Sequence, residues 1–540
     1  MRNALCFLAL IASTTRSFAQ GPITDAVRGA ADYSDGVSVG IPRGSIFTIT
    51  GSSLAPSSLS APALPLPKVL NGAIVRVWDA ATDGSVLVEC PLWYVSPTQI
   101  NAILPSSLTT GQHYVSVLVG ASETGRLPII ATNGRFAAFS QGGRGFGPAV
   151  VQRYDATGAP FLNKLTTAAP PGSTLVLWGT GLGALASGSD ADAPQAGTIR
   201  TDVTVYVDGI PATPVYAGRA PGLPGVDQIN FTLPSGVMPR CFVPLQAATG
   251  NITDRIVTIA VSAGSSTCPS EFGLSPDTLA SIDAGGVARA AVLRMTSSTS
   301  HTDGTINQSA EAWEAEYDTS YLSVLATTEN PPEVHGATMC SRSAVDRTYG
   351  LGALPGSVPI PSITGPAGCS WSFAVAGNLA QGFAPAGCTA SSYRFGPGTP
   401  GVPSSGAVFD VSGTFPSPRS SGAITGFSSQ RSSDQLIVSW SVNPSPSDAI
   451  NFEAGSSYTP PKLFGQSQTI SIQLTCQANV ADSPFVFPQT DLTWALQYST
   501  SQVSMSLVGV TDQAFAVNSR LLDFVLVRTS NSVQATIPFQ

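Results

Sequence analysis

The chain is written in short alternations of apolar and polar residues. Phe47 and Ile49 alternate with Thr48 and Thr50, and Leu175 and Leu177 occupy the matching places further on. A period of two marks a strand with one face buried and one face wet. The pattern predicts strands at Ile46–Thr50, Ile74–Trp78, Val86–Cys90, Gln99–Leu104 and Tyr114–Val119, with Asp83-Gly84 as a turn between two of them. Near the end of the chain Ile470, Ile472, Leu474 and Cys476 alternate with polar neighbours, as do Val503, Met505 and Leu507. Stretches rich in Pro, Gly and Ser at 352–368 and 395–422 read as loops.

One pattern occurs twice. Gly44-Ser-Ile-Phe-Thr-Ile-Thr-Gly is followed by Gln99-Ile-Asn-Ala-Ile-Leu-Pro, and Gly172-Ser-Thr-Leu-Val-Leu-Trp-Gly is followed by Gln228-Ile-Asn-Phe-Thr-Leu-Pro. Gly51 to Gln99 is 48 positions and Gly179 to Gln228 is 49. Two marks in the same order at nearly one spacing indicate one β-domain used twice. The organisation expected is a first copy at 20–138, a second at 139–269, a connecting segment at 270–285 and a β-rich region at 286–540. Within each copy the apolar set enters the core: Ile100, Ala102 and Leu104 in the first, Ile229, Phe231 and Leu233 in the second. Alternation then turns Gln99 and Asn101, and Gln228 and Asn230, outward. That repeated polar pair reads either as a ligand-contacting ladder or as a set of hydrogen bonds to neighbouring loop backbone.

Composition sharpens the class. The 540 residues include 53 Gly and 43 Pro, and charged residues are only 11%, against roughly 25% in ordinary soluble domains. Many turn formers with few charges suit an all-β protein of several domains. A net charge of −8 with 25 dispersed Lys and Arg gives no basic patch, which argues against nucleic acid as a partner. No apolar run reaches the roughly 18 residues that a bilayer-spanning helix needs.

The first nineteen residues read as a secretory signal. Arg2 supplies positive charge, Ala4–Ala12 is a short apolar core, and Ser17-Phe-Ala19 offers small residues for cleavage. The expectation is an exported protein, secreted or at the cell surface, in which disulfides can form. Cleavage would leave seven cysteines, an odd number. The pairs favoured are Cys241–Cys268, Cys369–Cys388 and Cys340–Cys476, with Cys90 left over. No Cys-x₂-Cys occurs and there are three His in all, so neither a metal site nor a cofactor is expected.

The order Gly-Ser-x-Φ-x-Φ-x-Gly-x-x-Leu, a valine-rich strand, then Gln-Ile-Asn-x-x-Φ-Pro (Φ apolar) resembles a known family. It is similar to the tandem IPT/TIG-like, immunoglobulin-like domains of secreted acidobacterial proteins. The matching stretches include Ala30-Ala-Asp-Tyr, Pro42–Pro56 and Tyr94–Pro105 in the first copy. In the second they include Val150–Phe161, Ala169–Ala184 and Val203–Pro234. The resemblance covers roughly residues 25–265 and implies an all-β fold: two tandem immunoglobulin-like β-sandwiches, then the β-rich C-terminal region. It carries over no catalytic residue. The chain departs from the pattern in the long Asp79–Glu89 hairpin and in the cysteines of the second copy.

Candidate chemistry is sparse. Gly179-Thr-Gly-Leu-Gly-Ala has the look of a phosphate loop, but Gly188 and Pro194 break the helix such a loop requires, so it reads as a turn. His113, His301 and His335 have no nucleophile elbow to serve. Asp190 with Asp192, and Asp32 with Asp35-Gly36, offer oxygens for calcium but lack the twelve-residue loop, and read as turn residues. Glu311-Ala-Trp-Glu-Ala-Glu-Tyr-Asp318 is the densest acidic–aromatic cluster. Carboxylates beside rings serve sugar-binding and glycoside-cleaving sites, which singles out Trp313, Glu314, Glu316 and Tyr317. The alternative for the same stretch is one wet acidic face with Trp313 and Tyr317 packed inward. The function expected is a secreted, non-enzymatic binding, adhesion or scaffold protein whose partner is an extracellular protein or polysaccharide. The competing reading is a carbohydrate-binding or carbohydrate-active protein with its site in 286–540.

Overall fold

The computed structural model describes residues 21–37, 39–80, 85–155, 157–197, 199, 202–249, 252–253, 256–327, 339–344, 360–367, 369–376, 379–396, 409–432, 435–443, 448–458, 470–478, 483–487, 502–517 and 522–537. The expected secretory signal, the Asp83-Gly84 turn and His335 lie outside these residues. The described residues form an all-β protein, with two tandem immunoglobulin-like sandwiches followed by a β-rich region.

In the first sandwich the alternating strands Ile46–Ser52 and Gln99–Ile103 pair side by side, flanked by Ile23–Gly29 and Leu92–Val95. The facing sheet is built on Ala73–Asp79, Gly111–Val119 and Leu127–Thr132. Phe47, Ile49, Ile100, Ala102 and Leu104 from one sheet meet Val75, Val77, Val115 and Val117 from the other, all essentially without exposure. The second sandwich repeats this. Thr174–Thr180 pairs with Asp227–Thr232 and encloses Leu175, Leu177, Ile229, Phe231 and Leu233. Phe136 and Ala138 already belong to this second core, so it begins a few residues before 139.

The repeated glycines have a specific task. Gly51 and Gly179 sit inside strands, not in turns. A Cβ at Gly51 would collide with the Ile23 carbonyl oxygen, and one at Gly179 with the Ala137 carbonyl oxygen. Both are places where a flanking backbone crosses too closely for a side chain.

The sandwiches meet through buried polar groups. Arg135 donates to Asp32 Oδ2 at 2.7 Å and to Ser34 Oγ at 2.7 Å. Asp190 accepts from the Ser106 amide at 2.7 Å and hydroxyl at 2.6 Å, and Ile46 N donates to Thr180 Oγ1 at 3.0 Å. Ile46, Leu66, Ile103 and Ala191 form a small apolar seam beside them. Asp32 and Asp190, read from sequence as turn residues or calcium ligands, are therefore clasps between domains.

The stretch 270–285 is more than a connecting segment. It holds helix α1 (Pro276–Asp283), with Ser275 capping Thr278 N and Pro276 in the first turn, where the lost N–H has no partner to forfeit. Leu279 and Ile282 enter a core shared by the second sandwich and the C-terminal region, together with Phe242, Phe272, Trp313, Leu322 and Phe524. Beyond α1, Ala288–Ser300 and Ile306–Tyr317 form a long hairpin, and Phe524–Ile537 runs parallel to its first strand. Both faces of this layer are covered: Ala290 and Val292 face α2 (Thr319–Thr327), while Ala291, Leu293 and Met295 face Tyr393, Phe395 and Phe415. Among the described residues, no helix is long and apolar enough to cross a membrane.

Candidate functional site

The outward Gln/Asn pairs are the repeat's most distinctive polar feature. Gln99 Nε2 donates to Asn101 Oδ1 at 2.9 Å, and Gln228 Nε2 donates to Asn230 Oδ1 at 2.8 Å. The same bond is made twice on the outer faces of equivalent strands. Among the described residues the pairs make no side-chain bond to loop backbone, which one of the sequence readings expected; each Gln donates to the Asn two residues along the strand, and Asn101 Oδ1 also accepts from Thr48 Oγ1 at 3.1 Å. This fixes both amides and leaves Gln228 Oε1 as an acceptor and Asn230 Nδ2 as a donor with no protein partner among the described residues.

A third member joins each pair. Tyr94 stands opposite Asn101 and Tyr216 opposite Asn230, each just after a register shift in its strand. A bulge re-aims the following side chain. Here it places a half-buried ring beside an amide in both copies. The Tyr216 hydroxyl donates to Arg219 O at 2.6 Å, and its ring lies against Gly218, where an added Cβ would stand 3.2 Å from Cζ. A side chain at 218 would crowd the ring, and the glycine leaves it room to lie along the sheet. Tyr94 is tethered to Ser58 Oγ at 3.3 Å.

The rows differ in one respect that matters. Across the strands the first copy reads Arg28, Thr48, Asn101, Tyr94, and the second reads Gln152, Val176, Asn230, Tyr216. Next to Gln228 the second copy has Trp178, half-buried with Nε1 donating to Gln152 Oε1 at 3.0 Å; the first copy has Thr50 in that place. The face of the second sandwich thus gathers two aromatic rings and three amides and no charged side chain in these rows. The opposite sheet of the first sandwich shows the contrast. There Trp78 lies under Arg126, and Arg76 pairs with Glu89 at 3.5 Å and Glu123 at 3.6 Å.

The acidic–aromatic cluster is arranged differently from a sugar site. Glu311–Tyr317 lies on a strand, and Trp313 and Tyr317 are each 3% exposed. Trp313 Nε1 donates to Tyr317 Oη at 2.6 Å inside the shared core. Neither ring is offered to a ligand, which corrects their place among the binding residues and follows the inward-packed alternative. The carboxylates remain near the surface. Glu311 meets Arg294 at 3.5 Å and accepts from Gln381 at 2.9 Å. Glu316 stands opposite Arg289 in the ladder. Glu314 stands opposite Ala291, and desolvation pushes its carboxyl up to about 7.

The two described histidines bond to backbone carbonyls. His113 is buried with Nε2 on Thr109 O at 2.9 Å, and His301 Nδ1 lies 3.1 Å from Ser421 O. Cys241–Cys268 and Cys369–Cys388 are disulfides, and Cys90 is buried and free. Cys340 and Cys476 stand directly opposite each other across antiparallel strands; their side chains lie outside the described residues. Among the described residues, no three His, Cys, Asp or Glu gather where they could hold a metal ion.

No protein-family model and no curated protein matches the chain. Solved structures give distant likenesses. SGBP-B from a complex xyloglucan utilization locus in Bacteroides uniformis is 9% identical over 86% of this chain and 96% of that one, with a TM-score of 0.17. Domains 5-6 of the S-layer protein SbsC are 14% identical over 45% of this chain and all of theirs, with a TM-score of 0.15. A protein of unknown function from Bacteroides thetaiotaomicron is 8% identical over 56% of this chain, with a TM-score of 0.15; the chain spans 58% of its length. At these scores the likenesses carry no argument.

Proposed function

We propose that this is an exported, non-enzymatic binding or scaffold protein built on the tandem IPT/TIG-like modules that its repeat resembles. The observation that carries the reading is the repeated Tyr–Gln–Asn grouping on the outer sheet faces. Amides bonded to each other in the same way in two domains form a rigid presenting surface. The polar clasps between the sandwiches add to that rigidity. Rigid frames that hold exposed polar and aromatic groups suit recognition.

The second reading is catalysis at Glu314. Its half-buried carboxyl stays protonated to about pH 7, as a general acid requires, and Glu316 shares its face of the strand. One experiment separates the two. The full chain is assayed on a panel of soluble polysaccharides for retention and for new reducing ends. Retention without release supports binding. Release that disappears in Glu314→Gln refutes the non-enzymatic reading.

A further inference from the structure

We propose that the outer face of the second sandwich, around Trp178, Tyr216, Gln228 and Asn230, binds a neutral carbohydrate chain. This rests on the binding reading above and names its site and ligand class. Three observations point the same way. First, the Gln228–Asn230 bond aims one free acceptor and one free donor outward from a single rigid unit. A sugar hydroxyl is both donor and acceptor, so neighbouring hydroxyls on one ring can satisfy both groups at once. Second, Tyr216 lies along the sheet over Gly218 and Trp178 stands beside Gln228. Flat rings next to fixed amides match a ligand whose rings have apolar C–H faces and hydroxylated edges. Third, the rows carry Gln152 where the first sandwich carries Arg28, so among the described residues these rows present no charge. An uncharged face complements an uncharged polymer and offers nothing to a polyanion. The first sandwich keeps the Tyr–Gln–Asn grouping but has Thr50 in place of Trp178, and it is the weaker copy.

The test is isothermal titration of the full chain with cellohexaose, laminarihexaose, mannohexaose and xylohexaose. A galacturonate hexasaccharide and the blocked neutral peptide acetyl-(Gly-Ser)₃-amide serve as comparisons. At least one neutral hexasaccharide is expected to bind. Asn230→Ala, which removes a surface amide, is expected to weaken it about tenfold, the worth of one lost hydrogen-bonding group. Trp178→Ala should weaken it at least as much. Because Trp178 also packs on the sheet, thermal melting of that variant accompanies the titration, and Asn230→Ala remains the deciding substitution. Glycan binding unchanged in Asn230→Ala overturns this face as the site while leaving a binding protein. Binding confined to the galacturonate or to the peptide overturns the neutral-carbohydrate assignment. Sustained release of reducing ends instead overturns the non-enzymatic reading on which the proposal rests.

Discussion

Removing either member of the Arg219–Asp227 pair should unfold the second sandwich at a markedly lower temperature. Both side chains are essentially without exposure, and Arg219 Nη1 meets Asp227 Oδ1 at 2.8 Å. The pair also organises the loop that reaches the first sandwich. Asp227 Oδ2 accepts from Leu182 N at 2.7 Å, Arg219 Nη2 donates to Gly183 O at 3.0 Å, and Leu185 N donates to Ser106 Oγ at 2.9 Å. Burial outweighs the attraction of Arg219 and pushes the Asp227 carboxyl up to about 6. Truncating one partner of a buried pair costs about 3–5 kcal/mol. For a domain of this size that is roughly 10–20 °C in melting temperature. The two single variants should differ. Arg219→Met leaves a carboxyl that can take up a proton, so its deficit should shrink towards pH 5. Asp227→Asn leaves a guanidinium that cannot discharge, while the parent's Asp227 takes up a proton below about 6 and gains stability there, so the deficit of Asp227→Asn should widen towards pH 5. Arg219→Met combined with Asp227→Leu should recover much of the loss. Differential scanning calorimetry of the full chain at pH 5 and pH 7.5 provides the measurement. Single variants that melt within about 1 kcal/mol of the parent would refute the reasoning.

Further outcomes follow from the same structure. Cys241→Ser with Cys268→Ser opens a link across 27 residues and should cost about 3–4 kcal/mol by loop entropy, read as a lower denaturation midpoint. Cys90 is fully buried and its thiol is pushed strongly upward by desolvation, so it should resist a thiol reagent until denaturant is added. Rapid labelling of Cys90 in the native protein would contradict that burial. Glu314 keeps its proton to about pH 7 in the fold but only to 4.5 ordinarily, so its contribution to stability is full below about 4.5 and is lost as pH rises through 7. Glu314→Gln should therefore gain on the parent as pH rises from 5 to 8; a constant difference across that range would contradict it.

The sandwiches were legible in the sequence because each strand buries one face. Phe47/Ile49 alternate with Thr48/Thr50 and enter the core, and Leu175/Leu177 take the same inward places although Val176 and Trp178 beside them are apolar. The hairpin at Ala288–Ser300 was not legible for the opposite physical reason. It is buried on both faces, so Ala290-Ala-Val-Leu reads as an unpatterned apolar run. Helix α1 was hidden by its shortness, although Ser275-Pro276-Asp277 was a start signal that could have revealed it. Gly179 reads as a turn residue from sequence because the chain shows flexibility there but not the crossing carbonyl. The outward pair Gln228/Asn230 was visible from alternation. Its neighbours Trp178 and Tyr216 were not, since they join it only through strand pairing and a bulge.

The central claim is recognition without turnover. Titrating the full chain with the neutral hexasaccharides in a calorimeter tests it in one trace. Heats that saturate as a single site fills, with the baseline restored after each injection, are expected. A sustained heat flow after injection, accompanied by new reducing ends, would contradict it.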